Sequence, residues 1–395
     1  MEISVSAVPR SVSATAPHLW GSRLDALLLG GASVLAFIAF RLADFSGETG
    51  AVVGMAMLVL AHFVNHPHFA HSYQIFYSGW ADVRDGHLPP EVAKRWWWAA
   101  AIAPGALAAF LAFAGWRATQ SDTVWIAVAI NLMGALVGWH YVKQGFGMAM
   151  TDAALKRRFW PDSVRQVLLV NAYACWAAAW IGLNSTKASA MFWGYFSLQM
   201  QLPVAVLWAA WALCFCTTVW TVIVVTRAVR AMWSQQPDGP IPFNGLMAYA
   251  VSLYLWTVFS WAEPIYLLVI PFFHSLQYLT VVWRYKLNEW RVGQQVHSVR
   301  RQAMMFALSG MAMGAAGFWA LPLVLDLART GQWLTSYNEP ATALACAWLF
   351  INVHHYLIDN VLWRKGNPKV SRYLFGQSPM SRPVPAAQPS PLSIR

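Results

Sequence analysis

The sequence predicts an all-α polytopic membrane protein of about ten transmembrane helices with both termini cytoplasmic, and three observations predict it. Apolar residues make up 58% of the 395 positions and charged residues only 11%, with a mean hydropathy of +0.44; a soluble domain carries about 25% charged residues. Apolar runs of helical length recur along the chain, each near the roughly 20 residues needed to cross a bilayer. If ten such runs cross in turn, 23 of the 27 Lys and Arg fall on one side and only Arg41, Arg117, Lys187 and Arg329 on the other, as the positive-inside rule requires. The net charge of +11 is therefore a topology signal, and no nucleic-acid partner is expected. The 24 Trp fit the aromatic belts of a membrane interface.

The runs lie at about 24–41, 51–76, 96–115, 122–148, 164–182, 203–229, 244–261, 265–283, 303–327 and 341–363. The seventh and eighth are joined tightly through Trp261, Ala262, Glu263 and Pro264, which places Glu263 at the outer surface. Residues 183–202, with Phe192, Trp193, Tyr195 and Phe196, read as an interfacial or re-entrant piece. The mixed-charge stretch 80–95 reads as a solvated turn. Residues 1–23 form a cytoplasmic N-terminal segment, 24–365 the transmembrane domain, and 366–395, rich in Pro, Ser and Arg, a disordered cytoplasmic tail. The first apolar run starts too late and runs too long for a secretory signal, so a mature protein of a bacterial inner membrane is expected. Cys175, Cys214, Cys216 and Cys346 lie in apolar stretches without metal-ligand spacing and read as small core side chains.

The histidines carry the chemistry. Eight of the eleven fall in four clusters: His62, His66, His68 and His71 on the second run, His140 on the fourth, His274 on the eighth, and His354 with His355 on the tenth. All four runs are even-numbered, and each cluster lies at the midplane or toward the cytoplasmic side. Ionisable groups inside a membrane are costly and mark function, and imidazole is the commonest metal ligand near neutral pH. A metal site is the leading reading, with all eight histidines and Asp359 as candidate ligands. Replacing His66 or His354 by Ala is expected to strip the metal, and replacing His297 in a loop is not.

Helical arithmetic refines this set. His62 and His66 share a face, as do His140 with Gln144 and His355 with Asp359. His68 and His71 share a different face, and Pro67 between the two pairs removes a helical hydrogen bond, so a kink there can bring the pairs together. His354 and His355 point about 100° apart, serving two metals, or one metal and a hydrogen bond. His274 precedes Trp283-Arg284, and His354 precedes Trp363-Arg364, by the same nine and ten residues, which points to matching depths for the two histidines. Gln144, Gln277 and Asp359 are candidate ligands or hydrogen-bond partners of ligands, and Asp359 and Gln144 are the candidate catalytic residues.

A multispanning chain with about eight histidines toward its cytoplasmic face resembles the integral-membrane histidine-cluster di-iron enzymes: fatty-acid desaturases, hydroxylases and alkane hydroxylases. His62-x3-His66 matches the first box of that pattern, and the His354-His355 pair is similar to its later boxes, although Ile351 and Asn352 stand where those boxes place a further His. Ten spans also exceed that family's usual number. A second similarity is to bacterial carotene-cleaving membrane oxygenases. The resemblance implies two irons held by His and carboxylate, O2 acting on a C–H or C=C bond of a hydrophobic or lipid-like substrate, and an electron-donor protein docking on the basic cytoplasmic face. Zn or Cu also suits imidazole and carboxylate. The alternatives are a haem-binding electron-transfer protein, a metal-ion or proton transporter, and a metal-dependent hydrolase or lipid transferase.

Overall fold

The computed structural model describes residues 17–43, 48–185, 191–258, 264–292, 296–334, 340–364 and 366–376. Lys187, Trp261, Ala262 and Glu263, and the expectations attached to them, lie outside the described residues. Helices dominate: α1 (Ser22–Leu42), α2 (Glu48–Arg84), α3 (Pro90–Thr119), α4 (Val124–Leu155), α5 (Asp162–Ser185), α6 (Val204–Gln235), α7 (Phe243–Val258), α8 (Ile265–Arg291) and α9 (Ser298–Thr330), then α10 (Thr342–Leu362) and α11 (Pro368–Phe375). Eight of them are long and apolar enough to cross a membrane: α1 to α6, α8 and α9. Each of the ten apolar runs of the sequence corresponds to a helix. α7 is shorter than the eight. α10 has 21 residues, but Asn352, His354, His355, Asp359 and Asn360 lower its hydropathy.

α2 is broken where chemistry needs it. Its helical hydrogen bonding runs over Glu48–Ala61 and resumes at Asn65–Ser78, with His62 to Val64 in a turn between. Pro67 accounts for the break: it has no N–H to give to the Phe63 carbonyl, and its ring abuts that carbonyl. The C-terminal half of α2 packs against α9, and α10 packs against α3, α4 and that same half.

Two pieces outside the long helices close the ends. Residues 191–196 form a two-stranded hairpin, Met191–Phe192 paired with Tyr195–Phe196, turning through Trp193 (φ 49°) and Gly194 (φ 78°), the positive-φ pair of a tight hairpin turn. Trp193 and Tyr195 are buried, and the Tyr195 hydroxyl meets Thr342 Oγ1 at 2.7 Å, so the hairpin seals the start of α10.

At the other end, the tail expected to be disordered from 366 instead folds as α11. Asn367 caps it by accepting the Lys369 N–H at 3.1 Å, Pro368 sits in its first turn, and Gly376 ends it at φ 64°. Val370 and Leu374, four apart, are buried against α8, and Lys369 Nζ pairs with Asp82 at 2.6 Å. The composition of the tail hid a two-residue apolar face. Residues 377–395 lie outside the described residues.

Asp326 on α9 caps α10 from outside, accepting the Ala343 and Leu344 N–H groups at 3.0 and 2.9 Å. Asp326→Ala leaves two donors of the α10 first turn unpaired and is expected to cost about 1–3 kcal/mol. A lowered thermal unfolding midpoint in detergent is the check, and an unchanged midpoint refutes the capping role.

Candidate metal centre

Four helices each deliver one imidazole to a common point. His68 comes from the C-terminal half of α2, His140 from α4, His274 from α8 and His355 from α10, and one potential ligand atom from each lies within 4.8 Å of the other three. The rings form a closed square: centroids are 5.1 Å apart for His68–His274, 5.0 Å for His274–His140, 5.0 Å for His140–His355 and 4.5 Å for His355–His68. Every neighbour meets edge to face. All four are buried, with His68 and His355 at 0% exposure.

The donor atoms fit an ion. His68 Nε2, His140 Nε2, His274 Nδ1 and both nitrogens of His355 are buried with no hydrogen-bond partner, as is Asp359 Oδ2. A buried polar atom left unpaired costs about 1–3 kcal/mol, so the bare cluster is expensive and a shared cation recovers that cost. Four nitrogens at about 2.0–2.1 Å from a tetrahedral ion stand about 3.4 Å apart, a closure of about 1 Å or less per ring.

The tautomer of His68 follows from its neighbours. Ser275 Oγ donates its single proton to Asn65 Oδ1 at 2.8 Å, so at 2.9 Å from His68 Nδ1 it accepts. His68 Nδ1 therefore carries the proton and Nε2 keeps its lone pair for a metal. A hydrogen bond on the far nitrogen that fixes a ligating ring in this way is characteristic of metal sites.

Asp359 sits one turn beyond His355, with Oδ2 3.3 Å from His355 Nε2 and 3.9 Å from His140 Nε2. Its Oδ1 accepts the Tyr278 hydroxyl at 2.8 Å, and Tyr278 in turn lies 2.6 Å from Ser72 Oγ and accepts Trp363 Nε1 at 3.0 Å. One carboxylate oxygen is thus anchored and the other faces the imidazoles. Ser72, Ser275 and Tyr278 escaped the sequence reading. Ser72 and Tyr278 each follow a cluster histidine by four residues, and that shared-face spacing was the available signal.

The eight histidines divide in two. His62 Nδ1 donates to the Leu58 carbonyl at 3.0 Å, and its ring stacks on Trp319. His66 is fully buried and stacks on Phe318 at 4.5 Å. His71 stacks on Phe306 at 3.8 Å and bonds Gln74 Oε1 at 2.8 Å. His354 spends both nitrogens, on the Tyr73 hydroxyl at 2.9 Å and the Ala99 carbonyl at 2.9 Å. The break in α2 does not bring the His62–His66 pair and the His68–His71 pair to one point; it sends only His68 to the square. Of the adjacent pair on α10, one ring enters the square and the other makes hydrogen bonds, so His355, and not the His354 of the sequence repeat, is the counterpart of His274.

Gln144 Nε2 donates to the His274 carbonyl at 3.0 Å and to Gln277 Oε1 at 2.8 Å, while Gln277 Nε2 donates to the Leu29 carbonyl at 2.6 Å. The two glutamines tie α4, α8 and α1 together behind the square.

Comparisons with protein-family models, with curated proteins and with solved structures return no match to this chain.

Proposed function

We propose that this chain is a membrane-embedded, metal-dependent oxidoreductase that holds non-haem iron on His68, His140, His274 and His355 and acts with O2 on a hydrophobic or lipid-like substrate. The observation that carries this reading is the square of four buried imidazoles with unpaired nitrogens, one from each of four helices. Imidazole with an adjacent carboxylate suits iron, and also Zn, Cu or Mn. The square supports one ion per chain; the two irons of the resemblance would need further histidines, and the rings of His62, His66, His71 and His354 lie outside the square. It also favours an ion over haem, because a porphyrin between two axial imidazoles leaves no room for the other two.

Iron in such a site supplies the redox chemistry that lets O2 react with a C–H or C=C bond. The chain's own residues do the rest. Asp359 Oδ2 is placed to hold a proton beside the imidazoles, with Tyr278 fixing its orientation. Asn65 and Ser275 fix the His68 ring, and apolar walls keep water out. Hydroxylation or desaturation consumes two electrons beyond those of the substrate, which a donor protein on the basic face would deliver; oxidative cleavage of a C=C bond consumes none. The topology belongs to the same reading: ten spans, α7 and α10 included, with both termini and the basic loops on the cytoplasmic side of a bacterial inner membrane.

Metal analysis of the purified, untagged protein tests it. One iron per chain, and no Soret absorption, is the expected outcome. Absence of stoichiometric metal, both as isolated and after anaerobic Fe(II) addition, overturns it, and a Soret band replaces it with the haem reading.

A further inference from the structure

One to two helical turns from the square lies a cavity of about 550 Å³, within the range of small-molecule sites. Its position relative to the histidines follows from helical spacing. Asn65 precedes His68 by three residues, Pro271 precedes His274 by three and Trp348 precedes His355 by seven, and all three line the cavity. Residues three or seven apart share a helix face, about 4.5 or 10.5 Å along the axis. Three of the four cluster histidines are therefore continued, one or two turns toward the N-terminus of their helices, by a wall of this chamber.

The chamber has a closed side and an open side. Trp193, Trp319 and Trp348 pack on one another with ring centroids 5.3–5.5 Å apart and form the closed wall. On the open side stand Leu58, Leu267 and Leu268, exposed by 40%, 51% and 49%. They belong to α2 and to the turn that opens α8, in a belt that faces lipid. The lining is apolar apart from Asn65 and the indoles. Asn65 Oδ1 is occupied by Ser275, while its amide nitrogen makes no protein hydrogen bond among the described residues. The Trp319 indole N–H is buried without a partner. A donor at the inner end and lipid-facing leucines at the mouth describe the occupant.

Resting on the metal-centre reading, we infer that this chamber is the substrate's seat: an apolar chain enters sideways from the bilayer between α2 and α8, with a hydrogen-bond-accepting oxygen leading, and Asn65 receives that oxygen. Asn65 is then a positioning residue. It joins the occupant to the metal ligand His68 through Ser275, and the leading end of the chain stops beside the square. The chain's far end remains at the leucine mouth. This orientation selects singly oxygenated chains, such as long-chain alcohols, over plain hydrocarbons, which leave the Asn65 donor unpaired.

The probe is a C16 primary alcohol carrying a diazirine at its far end, photolysed with the full-length protein in nanodiscs and mapped by peptide mass spectrometry. Saturable adducts are expected around Gly54–Leu58 and Leu267–Phe272. Hexadecanol is expected to compete about tenfold more strongly than hexadecane, the worth of one hydrogen bond. Gly54→Leu is the blocking variant. A Cβ at Gly54 makes an ordinary 3.7 Å contact with Leu268 Cδ1, so the helix tolerates it, while the longer side chain reaches across the mouth. Ala61→Trp fills the chamber from within and is the second variant.

Both variants are expected to lose the saturable adducts and keep the metal. Adducts spread evenly over lipid-facing positions such as Leu213 and Phe215, adducts unchanged in both variants, or equal competition by hexadecane overturn the inference. Saturable labelling in a protein that binds no metal leaves the chamber standing and removes the redox reading, so the two failures are distinct.

Discussion

His68→Ala, His140→Ala, His274→Ala and His355→Ala each abolish stoichiometric metal binding, and His62→Ala, His66→Ala, His71→Ala and His354→Ala each retain it. Four-ligand zinc sites bind with about 10–16 kcal/mol in total, about 3 kcal/mol per ligand, so losing one of four weakens the site by about a hundredfold or more. The retained group follows from what those rings touch. His354 has both nitrogens bonded to Tyr73 and Ala99, His71 is held by Gln74 and Phe306, and His62 and His66 lie among Phe318, Trp319 and Trp348. Metal content of the eight purified variants is the measurement. Loss in His66→Ala together with retention in His355→Ala places the site elsewhere. The graded companion is Ser275→Ala, which removes the acceptor that fixes the His68 tautomer; a partner of that kind is worth about 10–100-fold in affinity. Titration with Fe(II) or Co(II) reads that loss, and an unchanged affinity refutes the tautomer argument.

The helical fold was legible because each long segment must hide its own backbone hydrogen bonds in lipid, and that demand writes itself as long apolar runs. The histidines stood out for the complementary reason: polar rings inside such runs are costly and therefore rare. Which four converge was not legible. Helical spacing fixes angles within one helix, while convergence depends on how α2, α4, α8 and α10 rotate against one another, and that is set by packing. The α2 break shows the limit. Pro67 announced a kink, but whether the kink joins two histidine pairs or separates them is decided by α9, which claims His66 and His71. The α11 helix was hidden for another reason: with Val370 and Leu374 buried and Tyr373 and Phe375 packed beside them, its apolar face is too short to register as a period, and its stability rests on the Asn367 cap and contacts with α8. Asp359 was found through its i+4 relation to His355, whereas Tyr278 shares a face with His274 by the same spacing, but its hold on Asp359 crosses between helices and no local spacing announces that.

Gly310→Ala destabilises the protein, and His71→Ala in the same chain restores it, whereas Gly314→Ala is not restored by His66→Ala. Gly310 and Gly314 are four apart on one face of α9, the small-residue spacing that lets membrane helices approach closely, and both face the C-terminal half of α2. A methyl group at Gly310 runs into the His71 imidazole, the far end of a side chain. Truncating that ring to Ala removes the obstacle. A methyl at Gly314 stands 2.6 Å from His66 Cβ and 3.0 Å from the His66 backbone carbon. Alanine at 66 keeps both atoms, so α9 and α2 must separate whatever ring is present. Overpacking of this kind costs about 1–3 kcal/mol, with Gly314 at the upper end because backbone cannot step aside. Thermal unfolding midpoints of the two double-mutant cycles give the answer: a large coupling for Gly310 with His71, and none for Gly314 with His66. Equal coupling in both cycles, or none in either, contradicts the packing. Metal content adds a second readout. The half of α2 that Gly314 holds also carries His68, so Gly314→Leu, which pushes that helix away, is expected to empty the site although His66→Ala does not. The glycine seam of α9 thereby bears on the metal centre without supplying a single ligand, by fixing where one of its four helices can stand.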